Sequence, residues 1–227
     1  MKDAPIPGSM PLLLLAATAV TGVVDAVSFL GLGHVFTANM TGNVVFLGFA
    51  FAGASGLSIP HSFLSLLAFG SGAVIGGRIA TQAGINSTRW ITRAFFWEAI
   101  FLLAALLASL GLTIPSTKHD FQVEMVIAFS ALAMGLRNAV VRKLAVPDLT
   151  TTVLTLTITG IAADSSFARG DNPRWPRRLA AVLAMLGGAA AGAVLMQRSI
   201  ALPLGLCVAA TGSCAVASSR IESRRNR

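Results

Sequence analysis

HVFTANMTGNVVFLGFAFAG, residues 34–53, is the stretch on which the fold turns. It is apolar enough to enter a bilayer, yet it opens with Thr37, Asn39, Thr41 and Asn43. An aspartate, Asp25, stands in the apolar segment just before it. Alternating polar residues do not share one helical face; they suit an extended or unwound stretch. Such backbone survives at membrane depth only where protein or a watery cavity surrounds it. The stretch therefore predicts a segment that enters the membrane, breaks and turns back.

The rest of the chain sets that segment in a membrane protein. Of 227 residues, 55% are hydrophobic and 11% charged, against about 25% charged in soluble domains. Apolar runs of about 20 residues recur along the whole length, the mark of a polytopic, all-α membrane protein. No stretch is long or polar enough for a separate soluble domain, so residues 1–227 read as a single integral membrane domain in contact with the lipid bilayer.

The net charge of +8 does not point to nucleic acid, because the basic residues gather in short loops and at the C-terminus, as membrane topology requires. Cys207 and Cys214 lie about 10 Å apart along one helix, too far for a disulfide, and read as packing residues. His34, His61 and His119 lack metal-ligand spacing, and neither a metal nor a cofactor is expected. Lys2 and the run LLLLAATAV loosely imitate a signal peptide. Asp3 weakens that match, and an internal repeat needs residues 22–43, so the first segment reads as an uncleaved span.

Eight apolar segments follow one another: 11–32, 37–57, 61–83, 91–112, 121–141, 149–166, 178–197 and 199–218. Pro, Gly or charge punctuates the connections. If all eight cross, with the N-terminus inside, ten of the seventeen basic residues are cytoplasmic. If the second and sixth dip in and return, the count inside is fifteen, with only Lys118 and Arg198 outside. Positive charge gathers on the cytoplasmic side, which favours six full spans plus two re-entrant or broken helices, with both termini cytoplasmic. Eight full spans remain the alternative.

The segments also repeat, about 11–112 against 121–218. A shift of 113 sets Gly22, Asp25, Ala26 and Val27 on Gly135, Asn138, Ala139 and Val140, and Thr37 on Thr150. A shift of 116 sets Gly72 and Gly76 on Gly188 and Gly192. With re-entrant segments each half crosses three times, so the copies run in opposite directions, an arrangement common in transporters and channels. With eight spans the copies would be parallel.

GVVDAVSFLGLGHVFTANMTGN and ALAMGLRNAVVRKLAVPDLTTTVLTLTITGIAAD resemble the two signature blocks of the YoaK-type family, bacterial inner-membrane proteins with a domain of unknown function. The resemblance covers roughly residues 12–197 and implies an integral membrane protein without fixing a substrate or reaction. Leu156 departs from the pattern, standing where a glycine matching Gly42 is expected.

An ionisable residue inside a span is a functional candidate by default. Asp25 is expected to be a cation or proton site, or else a structural carboxylate bonded to the neighbouring repeat or paired with Arg137. The Thr/Asn-rich segments are expected to place helix N-termini, with their free N–H groups, around a polar solute. The same residues also cap helices and bond between spans without a ligand. Glu98 and Glu124, nearer segment ends, carry less weight. The Gly72/Gly76 and Gly188/Gly192 pairs read as helix contacts.

The residues expected to hold a solute are Asp25, Asn39, Thr41, Asn43, Asn138, Thr151 and Thr155, and no catalytic residue is named. Gly53-Ala54-Ser55-Gly56 imitates the serine motif of rhomboid proteases, but no histidine follows His119 to serve as base. The leading expectation is therefore a transporter or permease for a small polar or ionic solute. A membrane scaffold or assembly partner is the alternative, an intramembrane hydrolase the least supported, and a homo-oligomer is compatible with each.

Overall fold

The computed structural model describes residues 10–82, 87–112, 121–144, 151 and 154–225. Among the described residues eight α-helices carry the fold: α1 (Met10–Gly31), α2 (Met40–Phe51), α3 (Ile59–Gln82), α4 (Ser87–Ala108), α5 (Phe121–Leu144), α6 (Leu154–Ala163), α7 (Trp175–Met196) and α8 (Ala201–Arg225). Six of them, α1, α3, α4, α5, α7 and α8, are long and apolar enough to cross a membrane. The others have 12 and 10 residues. At 1.5 Å per residue these are only about 18 and 15 Å long, against about 30 Å of hydrocarbon, so neither can cross.

Which helix ends meet fixes the threading. One apolar cluster joins Met10 and Leu14 at the start of α1, Ile91 at the start of α4 and Ala181 near the start of α7. Val141 and Cys214, late in α5 and α8, complete it. A second cluster joins Val27 late in α1, Ala105 late in α4 and Met196 at the end of α7 with Val123 and Leu204, early in α5 and α8. Leu64, early in α3, packs against it. Hence α1, α4 and α7 run one way, and α3, α5 and α8 the other. The six long helices alternate in chain order. The end of α1 and the start of α3 lie at one end of the bundle, so α2 returns to the side it left, as α6 does at the opposite end. The threading with eight crossings is excluded.

The extent of the second segment is narrower than its apolar run. The expected extended stretch through Asn43 stops at Asn39, and helix begins at Met40. The reason is local: the Asn39 side chain accepts the Gly42 N–H and caps the helix. Thr41 and Asn43 are thus helical.

The glycine pairs act as helix contacts. A Cβ on Gly72 or Gly76 would collide with the carbonyl of Leu132 or Leu136, and one on Gly188 with that of Ala19. These are the same contact twice over: shifting Leu132 back by 113 gives Ala19, and shifting Gly72 on by 116 gives Gly188. Likewise Gly22 meets Met185 and Gly135 meets Phe69, again related by the two shifts. At element level α1 packs on α7 as α5 packs on α3, α1 on α8 as α5 on α4, and α2 on α3 as α6 on α7. Small residues let backbones approach closely where lipid offers no competing hydrophobic gain. The central helices are α1 and α5. Leucines and phenylalanines on the other four, such as Phe63, Leu107, Leu186 and Leu206, face outward.

Candidate functional site

The first dip begins with two residues in left-handed conformation, Gly33 at φ 89° and His34 at φ 57°. Glycine is suited here twice over, because a Cβ would also lie 3.2 Å from His61 Nδ1. The reversal sends residues 35–39 back beside α1 and α3. Phe36 is held by one side chain from both sides: its N–H donates to Asn43 Oδ1 at 2.9 Å, and its carbonyl accepts from Asn43 Nδ2 at 2.6 Å. Ser65 Oγ on α3 donates to the same carbonyl at 2.7 Å. Asn43 is fully buried, so it does for Phe36 what a neighbouring strand would do. Gly42 leaves room for the Phe36 ring, 2.7 Å from where its Cβ would be.

Beyond Phe36 the backbone amides of Thr37, Ala38 and Asn39 converge on the Asp25 carboxylate, with Ala38 N–H at 3.0 Å from Oδ1. Consecutive N–H groups curled around a carboxylate make a nest, whose bonds are strongest when the carboxylate is ionised. In the membrane interior each amide left unpaired would cost several kcal/mol. Asp25 thus fastens the tip of the dip, and with it the N-terminus of α2, to the middle helix α1. Thr37 is buried at this tip, and its hydroxyl has no hydrogen-bond partner.

A second set of charges lies one helical turn away. Arg137 on α5 donates through Nη1 to Glu98 Oε1 on α4 at 2.7 Å. Its Nη2 donates to the Thr21 hydroxyl, which itself donates to the Ala17 carbonyl at 3.0 Å. Both members of the pair are buried, at 1% and 0% exposure, so this is an ion pair wholly removed from water. Thr21 stands eleven residues in from Met10 and ten from Gly31, and Glu98 has the same margins in α4. The pair therefore marks the mid-depth of the bundle. Arg137 Nε and Glu98 Oε2 are buried without a partner, and the charge of Arg137 also reaches Asp25.

The residues expected to form one site divide into three groups. Asp25, Asn43 and Asn39 all belong to the first dip, though the Asn39 side chain and Thr41 are exposed. Thr151 is buried with φ 59° and an unpartnered hydroxyl, while Thr155 on α6 is exposed. Thr150, the repeat counterpart of Thr37, lies outside the described residues. Asn138, half-buried, does not meet Asp25; it lines a cavity of about 590 Å³ with Phe69, Ala73, Gly77, Ala139, Arg142 and Lys143. Arg137 pairs with Glu98 and not with Asp25, whose carboxylate is already engaged by backbone. The signal for Glu98 was in the sequence: an arginine in mid-span demands a carboxylate. Which carboxylate answers it depends on tertiary packing.

Six alternating spans, two shorter helices at opposite ends and a buried charged layer between them define a polytopic membrane protein. Residues 13–217 match the family described as Protein of unknown function (DUF1275), and the chain belongs to that family. It is similar to the UPF0700 transmembrane protein YoaK of Bacillus subtilis (strain 168), with 34% identity over 159 residues. That match covers 68% of this chain and 66% of the relative, just under two thirds of the relative's length. No solved structure matches.

Proposed function

We propose that the protein is a permease for small polar or ionic solutes in the bacterial inner membrane, with its basic end and both termini in the cytoplasm. The observation that carries the reading is the Asp25 clasp: a carboxylate on a spanning helix holds the unwound entrance of a broken helix beside a buried Glu98–Arg137 pair. Broken helices at the junction of inverted halves are where secondary transporters bind and couple. The unpartnered Thr37 hydroxyl at the tip offers a polar contact for a solute.

Asp25 couples because its charge is the acceptor for the dip. A proton or cation that neutralises it weakens three N–H bonds at once and frees the tip to move. Arg78, Arg89, Arg142, Lys143, Arg169, Arg174 and Arg177 all fall at one end of the bundle, which supports placing that end in the cytoplasm.

The test is stopped-flow swelling of proteoliposomes in iso-osmotic glycerol, urea, potassium acetate, ammonium chloride and potassium phosphate, repeated across pH 5–8. The expected result is faster swelling than empty liposomes for at least one solute, with a pH dependence that Asp25→Asn removes. A folded Asp25→Asn protein with unchanged flux at every pH ends the coupling role. Rates equal to empty liposomes for every solute would favour the scaffold reading, which the full engagement of Asp25 and Asn43 with backbone also supports.

A further inference from the structure

The two halves differ most where their counterparts should agree. On α1 the face carrying Asp25 and Phe29 is covered by the first dip: amides sit on Asp25, and Phe36 stacks on Phe29 with ring centroids 5.1 Å apart. The shift of 113 that aligns the halves converts Asp25, Phe29 and Leu30 into Asn138, Arg142 and Lys143. A carboxylate and two apolar side chains are exchanged for an amide, a guanidinium and an ammonium. Those three groups line the cavity of about 590 Å³ between α3 and α5.

The donors there are available. Among the described residues neither the Asn138 amide nor the Arg142 guanidinium makes a hydrogen bond or ion pair, and they stand one helical turn apart on α5. Lys143 Nζ donates to the Gly77 carbonyl at 3.3 Å, which places the ammonium over the rim and leaves two of its three protons. None of the described lining residues is acidic. In the first half Asp25 meets backbone donors; in the second the donors of Asn138, Arg142 and Lys143 meet no acid among the described lining residues.

We infer that this cavity binds the phosphate group of a phosphorylated amphiphile, whether a membrane lipid headgroup or a soluble organic phosphate. A guanidinium fork, an ammonium and an amide together present more donors than two carboxylate oxygens accept, and they suit a phosphate group, which offers three terminal oxygens as a monoester and two terminal plus two ester oxygens as a diester. The cavity is several times larger than a bare phosphate, and its walls are graded. Phe69, Ala73 and Gly77 follow one another along α3 over about 12 Å, from the middle of the bundle to the basic end. The phosphate sits at the rim with Arg142 and Lys143, and the apolar moiety points inward along Ala73 and Ala139 to Phe69. This binding does not depend on the permease reading.

The test uses the purified full-length protein in maltoside detergent, titrated with hexyl phosphate, inorganic phosphate and hexanol by calorimetry. Hexyl phosphate is expected to bind, inorganic phosphate more weakly and hexanol not at all. Arg142→Gln with Lys143→Gln, both exposed and at a helix end, should weaken hexyl phosphate by about tenfold or more. Ala73→Leu fills the apolar part and should weaken hexyl phosphate while leaving inorganic phosphate unchanged.

Phosphorus analysis of exhaustively delipidated protein separates the sources. One phospholipid fewer per chain in the Arg142/Lys143 variant identifies a lipid headgroup. Equal phosphorus, with hexyl phosphate binding lost, identifies a soluble organic phosphate. Equal hexyl phosphate affinity in the wild type and both variants, with circular dichroism unchanged, overturns the inference.

Discussion

Asn43 satisfies both backbone groups of Phe36 and is itself satisfied, so its removal strands a buried N–H and leaves the carbonyl to Ser65 alone. Asn43→Ala should lower stability by about 1–3 kcal/mol, read as a fall in the detergent unfolding midpoint. Glu98 and Arg137 follow a different rule. Removing one partner leaves a buried charge uncompensated, so Glu98→Gln or Arg137→Met alone should cost about 3–5 kcal/mol. Glu98→Leu combined with Arg137→Met should recover most of that loss, and a double-mutant cycle on unfolding midpoints checks it. If instead the two single losses add, the pair is not the energetic unit that its geometry implies. Residue types in this layer were legible from the sequence, since Asp25, Arg137, Thr37 and Asn43 all stood out as polar groups in apolar surroundings. Their partners were not. The clasp on Asp25 is made by backbone, which every residue carries and no motif announces, and the choice of Glu98 for Arg137 follows from how α4 and α5 face each other.

Helix contacts rather than helix propensities decide what each glycine can become. Gly188 lies against the Ala19 carbonyl, whereas its neighbour Gly187 has nothing within 4 Å. Gly188→Ala should therefore destabilise by about 1–3 kcal/mol through overpacking. Gly187→Ala should be neutral, or stabilise by up to about 1 kcal/mol through better helix propensity. Gly72→Ala, the counterpart in the other half, should behave like Gly188→Ala. Thermal midpoints of the three variants test the pairing of the halves directly; equal behaviour of Gly187 and Gly188 would contradict it. Where the elements lie was readable from apolar runs and punctuation, and the GxxxG pairs showed which helices pack closely. The start of α2 was misplaced because alternation of polar residues looks the same in a strand and in a cap followed by a helix.

At the scale of the molecule the threading is a matter of sides. In a background of Cys207→Ala and Cys214→Ala, single cysteines at Ser55 and Gln197 should label from one side of the membrane, and those at Thr81 and Asp171 from the other. All four positions are exposed. Ser55 and Thr81 labelling from the same side would mean that α3 does not cross. Charge asymmetry in the sequence alone favours six crossings, because two returning segments gather the basic residues on one side. Two constant shifts in the sequence relate the close glycine contacts of α1 with α7 to those of α5 with α3. What the shifts could not convey is that each half's first helix packs against the other half's third.

That exchange governs how the chain is made. Helix α1 leaves the ribosome before its main partner α7, which lies some 140 residues downstream, and it carries Asp25 and Thr21 on faces unsuited to lipid. At about 5–20 residues per second, α1 waits roughly 7–30 s for it. The insertion machinery, or a membrane chaperone, must shelter the helix through that interval. Helices α1 and α5 each pack chiefly on a helix from the other part of the chain, α7 and α3. Residues 1–120 made alone should be degraded, whereas the same fragment made together with residues 121–227 should accumulate as a reassembled complex.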